Sequence, residues 1–219
     1  MRSRRVANPM RLYSFFRSSA AYRVRIALNL KLVDYETVTV DLPGSAHRTA
    51  EFRELNPQAT IPTLDDDGTI LWQSLAIIEY LDTRHPSPRL IPQEPVARAR
   101  VQAMAQLIAC EVHPLNNLRV LRYLRGELKL DDAAVGKWYS HWVAEAFGPL
   151  ETLVGRWSGG YCYGASLSLA DVYLVPQIYN ARRFNCDLTP YPTLVRIAHA
   201  LEQEPAFARA APDLQPDAK

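Results

Sequence analysis

Three places in this chain set polar side chains at the start of a helix, where chemistry is possible. Ser18-Ser19 follows a strand pattern, Met10–Phe16. It precedes Ala20, Val24, Ala27 and Leu28, which recur at helical spacing to about Leu32. A serine there caps the helix, and the helix N-terminus also favours an anion such as a thiolate. On residue type alone, capping is the preferred reading. Gln73-Ser74 stands at the start of the next helix, marked by Leu75, Ile78 and Leu81 to about Arg84. That position suits a carboxylate, while Ser74 is equally an ordinary N-cap. Ser168-Leu169-Ala170-Asp171 opens a helix that is apolar on nearly every face to Tyr179. Ser168 and Asp171 have capping-box spacing with Asp in place of Glu, a structural role worth about 1 kcal/mol. Cys110, Cys162 and Cys186 are far apart and form no CxxC pair. Neither a disulfide framework nor a metal site is expected, and reduced, cytoplasmic thiols are the default.

The elements that position these residues fall into two halves. After the first strand and helix come a Thr- and Val-rich strand, Tyr35–Val40, and a short helix over about His47–Leu55. Ile61–Leu64 and Thr69–Trp72 read as strands around the turn Asp65-Asp66-Asp67-Gly68. With the helix from Ser74, the order is βαβαββα. His85-Pro86-Ser87-Pro88 breaks the pattern, so residues 10–88 form one expected domain and 89–219 a second. Strand signals nearly vanish in the second. Val96–Leu124 reads as one long helical pattern with a possible break at His113-Pro114. Ala133–Val154 reads as another, bent at Gly148-Pro149.

Composition narrows the function classes. Of 219 residues, 48% are hydrophobic and 22% charged, and the net charge is +2. These values fit a globular chain and give no bulk argument for nucleic acid. No apolar run approaches the roughly 20 residues of a membrane span. Residues 1–9 carry Arg2, Arg4 and Arg5 and read as a disordered leader.

Ser18-Ser19-Ala20-Ala21-Tyr22-Arg23-Val24-Arg25-Ile26-Ala27-Leu28 is similar to SSCxxRVRIAL, the active-site signature of zeta-class glutathione transferases. Gln73–Leu81 and Asp187-Leu188-Thr189-Pro190-Tyr191-Pro192 resemble two further segments of that class. The resemblance extends over Met10–Pro216 and includes the maleylacetoacetate isomerases. His113-Pro114-Leu115-Asn116-Asn117 and Ala181-Arg182-Arg183-Phe184 look still more like the bacterial maleylpyruvate isomerase branch. One departure stands out: Ala20 replaces the signature cysteine, which removes a direct thiol role there and leaves both serines.

The resemblance implies a thioredoxin-like α/β domain followed by an all-α domain, glutathione as cofactor, and a homodimer. It implies that Ser18, with Ser19 as second candidate, acts on the glutathione thiolate, and that Ala20 lies in the cofactor site. A cis Ile61–Pro62 bond would present the Ile61 backbone to the cysteinyl part, and Gln73 and Ser74 would take the γ-glutamyl carboxylate. His47 falls where the family uses a polar contact. His113, Asn117, Leu118 and Arg119 align with its ligand-contacting stretch. A maleyl substrate is a dicarboxylate, so Arg17, Arg182 and Arg183 are its expected readers, with Arg183 preferred over Arg182. The implied reaction is glutathione-dependent cis–trans isomerisation of a maleyl keto-diacid in aromatic catabolism. Alternatives are a transferase or dehalogenase acting on small halogenated acids, and a non-catalytic glutathione-binding protein.

Overall fold

A computed structural model describes residues 9–218, so the expected leader lies, except for Pro9, outside the described residues. The chain gathers into two compact units that divide between Pro88 and Arg89. The first also takes the segment after Glu204.

In the first unit the elements run β1 (Met10–Ser14), α1 (Ser19–Leu30), β2 (Tyr35–Thr39), α2 (Ala50–Leu55), β3 (Thr63–Asp66), β4 (Thr69–Trp72) and α3 (Ser74–Arg84). The sheet order is β2-β1-β3-β4, with β1 and β2 parallel, β3 antiparallel to β1, and β4 antiparallel to β3. The expected short helix over 47–55 is split into a 3-10 turn, Ala46–Arg48, and α2. Thr49 makes the break, because its hydroxyl caps α2 by accepting from Phe52 N at 3.3 Å. Asp67 and Gly68 both have positive φ (49° and 88°), as a tight hairpin turn between β3 and β4 requires.

Helix α1 is buried without interruption from Ser19 to Leu28, charged Arg23 and Arg25 included. A buried guanidinium needs acceptors, and Arg25 finds them in Ser14 Oγ, Phe16 O and Ala210 O. Ala210 ends α9 (Pro205–Ala210), which packs on α1. Asn29 Nδ2 donates to Ala206 O at 2.8 Å from the same helix. These buried partners are why the C-terminal segment belongs to the first unit. Leu12, Val24, Leu64, Ile77, Ile78 and Leu81, all fully buried, form the core between sheet and helices.

The second unit is helical: α4 (Pro95–Gln106), α5 (Leu118–Gly126), α6 (Asp132–Trp157), α7 (Leu169–Arg183) and α8 (Pro192–Glu202). The helical pattern expected over 96–124 is α4, a π-helical stretch Leu107–Val112, and α5, and the interruption expected at His113-Pro114 falls in the turn between the last two. Helix α6 continues through Gly148-Pro149, with Pro149 inside it. Helix α7 is buried on all faces from Leu169 to Ile178 and starts in the capping box. Asp171 accepts from Ser168 N and Oγ and, across the turn, from Cys162 N, each at 2.8 Å. Among the described residues, no helix is long and apolar enough to cross a membrane.

Candidate active site

In the first unit, strand β1 ends at Ser14 and the chain turns through Phe15-Phe16-Arg17. Ser18 N donates to Phe15 O at 2.9 Å, closing the turn. Ser18 is then the N-cap of α1: φ −70°, ψ 112°, with its Oγ accepting from Ala21 N at 3.2 Å. The capping role is therefore real, and it does not exclude the chemical one. A hydroxyl that accepts from the helix keeps its hydrogen to donate to another acceptor. It sits at the positive end of a 12-residue helix, where an anion is stabilised. Ser19 and Ala20 are buried, 5% and 8% exposed, as the first helical residues behind the half-buried Ser18. Ser18 is thus the better placed of the two serines.

Ile61–Pro62 is cis, with Pro62 buried ahead of β3 and Ile61 half-buried. Gln73, expected beside the N-cap, is itself in the N-cap position, and Ser74 is the first helical residue of α3. Gln73 has φ 71° and ψ 119°, a conformation costly for a side-chain-bearing residue and typical of functional positions. Its exposed amide donates to Gln58 Oε1 at 3.0 Å. Gln58 escaped the sequence reading, since nothing local marks it. Ser74 is buried and accepts from Arg23 Nη1 at 3.4 Å, which ties α1 to the start of α3. His47 is half-buried on the 3-10 turn. A glutathione thiol fits the hydroxyl and helix start at Ser18, and its α-carboxylate fits the helix start at Gln73-Ser74.

Arg17 is exposed, and its guanidinium lies over the Phe16 ring at 4.6 Å and near Phe15 at 6.0 Å. Stacking holds a guanidinium while leaving its in-plane donors available to a carboxylate.

In the second unit, His113 follows the π-helical stretch, and its Nε2 lies 3.4 Å from Asn117 Nδ2. Asn117 caps α5 through Oδ1, which accepts from Arg119 N at 3.1 Å. Leu118 and Arg119 are exposed on the first turn of α5. The arginine pair ending α7 divides by partner. Arg182 forms an ion pair with Glu202 of α8 at 2.5 Å. Arg183 instead lies over Phe184 at 4.8 Å, and Phe184 stacks on the buried Tyr139 at 3.8 Å. Burial pushes the Tyr139 phenol well up, so it stays neutral at physiological pH.

The glutathione S-transferase N-terminal domain family model matches residues 8–83. The chain is 52% identical to a probable maleylacetoacetate isomerase of Vibrio cholerae, covering 94% of this chain and 97% of that protein. It is similar to the holo structure of a maleylpyruvate isomerase described as a bacterial zeta-class glutathione transferase. That match has 44% identity and a TM-score of 0.93, covering 95% of this chain and all (100%) of the other. A maleylacetoacetate isomerase of Methylobacterium extorquens AM1 with bound malonate and GSH matches at 38% identity and TM-score 0.89, covering 95% and 99% of the two chains.

Proposed function

This chain belongs to the zeta-class glutathione transferases, the family of the maleylacetoacetate and maleylpyruvate isomerases, and from that we propose a glutathione-dependent isomerase that converts a maleyl keto-diacid to its fumaryl form in aromatic catabolism. One observation carries the reading at the level of chemistry. Ser18 Oγ accepts from the α1 backbone and so keeps its hydrogen for a thiolate at the helix N-terminus.

Glutathione, when bound, supplies a thiolate whose reversible addition to the cis double bond lets that bond rotate. Ser18 donates to the sulfur and, with the α1 dipole, lowers the thiol pKa from about 8.5 towards neutrality. Ser19 and Ala20 back this position as buried first-turn residues. Gln73 and Ser74 hold the γ-glutamyl carboxylate, the Ile61 backbone ahead of Pro62 pairs with the cysteinyl part, and His47 adds a polar contact. His113, Asn117, Leu118 and Arg119 are proposed to contact the ligand from the second unit. Arg17 and Arg183 read the substrate carboxylates, whose fixed position keeps the alkene in reach of the thiolate. Arg182 is the weaker reader, because Glu202 already occupies it. We further propose a cytoplasmic homodimer.

The test incubates the protein with maleylpyruvate and with maleylacetoacetate, with and without glutathione, while following free thiol. Isomerisation that needs glutathione and leaves its concentration unchanged is the expected result, and the ratio of the two rates identifies the substrate. Consumption of glutathione would instead mark a transferase, and no turnover of either diacid would refute the reading.

A further inference from the structure

The turn that presents Ser18 is held from the far end of the chain. Both backbone polar groups of Phe16, two residues before Ser18, have side-chain partners from outside the turn. Its N–H donates to Asp217 Oδ2 at 2.9 Å, across 201 residues of sequence. Its carbonyl accepts from Arg25 Nη2 at 3.0 Å. The same fully buried guanidinium reaches Ser14 Oγ, at the end of β1, at 3.1 Å and Ala210 O, at the end of α9, at 3.0 Å. Beyond α9 the tail folds back on itself. Gln215 Nε2 donates to Arg209 O and Ala211 O at 3.0 and 2.9 Å, and Ala218 N donates to Gln215 O at 3.0 Å. This returns Asp217 to the turn.

We propose that Asp217, carried by the folded tail 211–218, is a positioning residue for the active-site turn. It fixes the Phe16 amide, and through it the placement of the Ser18 hydroxyl and of the Arg17 guanidinium stacked on the Phe16 ring. Two features argue that the contact does more than tie down a tail. A carboxylate accepting from a backbone N–H makes a charge-assisted bond, stronger than a tail needs where α9 is already held by Arg25 and Asn29. In its target, Phe16, the other polar group is held by a buried arginine, so the peptide units on both sides of Phe16 are oriented. A turn fixed in this way presents the hydroxyl without reorganisation when the thiolate forms. The proposal rests on the reading of Ser18 as the thiolate partner.

Asp217→Ala, Asp217→Asn and Ser18→Ala are compared with the unaltered protein. The readouts are kcat and KM for both substrates, the pKa of bound glutathione from its ultraviolet thiolate absorbance, and amide hydrogen exchange over residues 15–21. Asp217→Ala should lower kcat about tenfold, change KM for glutathione less than about twofold, raise the bound thiol pKa and speed exchange in the turn. Asp217→Asn keeps an acceptor oxygen and should recover kcat to within about threefold. Unchanged kcat and thiol pKa in Asp217→Ala overturn the proposal, as does an Asn variant no better than Ala. If Ser18→Ala raises the thiol pKa while Asp217→Ala does not, only the positioning role fails. If Ser18→Ala leaves it unmoved, the Ser18 reading fails, and the positioning role with it.

Discussion

Replacing Lys31 with methionine should be among the most damaging single changes in the first unit. Lys31 is the C-cap residue of α1, yet its ammonium is not on the surface. Nζ lies 2.6 Å from Asp82 Oδ1 of α3, with the two side chains 0% and 5% exposed, and it also donates to the Pro88 carbonyl. At this separation and an effective dielectric of about 20, the attraction is about 6 kcal/mol. Desolvating the two ions costs several kcal/mol each, so the intact pair adds little net stability. Removing one partner is different. Lys31→Met approximates the stem's volume and takes the Lys31 charge away from the buried Asp82 carboxylate, for a loss of about 3–5 kcal/mol. Pro88 is exposed, so its carbonyl can turn to water, which keeps the estimate towards the lower end. The assay is urea unfolding at neutral pH, following α-helical circular dichroism, for Lys31→Met, Asp82→Leu and the double variant. Each single variant should shift the midpoint strongly, and the double variant should recover most of the loss, because no uncompensated charge remains. A single-variant loss below about 1 kcal/mol would refute the burial argument. A double variant as unstable as the singles would show that packing, not charge, is responsible.

Three further outcomes follow from the site. Ser18→Ala removes a hydrogen bond to a charged sulfur, worth about 1.5–3 kcal/mol, so the pH–rate profile should move about 1–2 units alkaline while glutathione binding weakens little; an unmoved profile would transfer the role to Ser19 or the backbone. Ala20→Cys should leave turnover within about tenfold, since the nucleophile comes from glutathione; a gain of several hundredfold in steady-state assays would show that the missing thiol matters. Arg183→Ala should raise KM for the diacid by about tenfold and leave glutathione affinity nearly unchanged, whereas Arg182→Ala, which breaks only the exposed pair with Glu202, should be nearly silent; the reverse pattern would exchange their roles.

What the sequence determined by itself is local. The βαβαββα order, the start of α3 at Ser74, the turn at Asp67-Gly68 and the capping box at Ser168 are all written within a few residues. Each depends on hydrogen bonds or periodicity over one or two turns, which residue type at fixed spacing decides. The candidate residues around Ser18 and Gln73 were legible in the same way, helped by a contiguous signature. Tertiary structure decided which groups at those positions are committed elsewhere. Arg182 and Arg183 are adjacent and chemically identical, and tertiary neighbours distinguish them: Glu202 pairs with the first, and the second lies over Phe184. Gln58 meets Gln73 from 15 residues away, and no spacing rule connects them. Likewise Arg25 sits in a helical repeat that reads as ordinary, and acceptors for it come from β1, the turn and α9. The same holds for Asp217, whose partner is 201 residues distant. Burying a charge in a helix face is favourable only when distant backbone groups converge on it, and that convergence is a property of the packed chain.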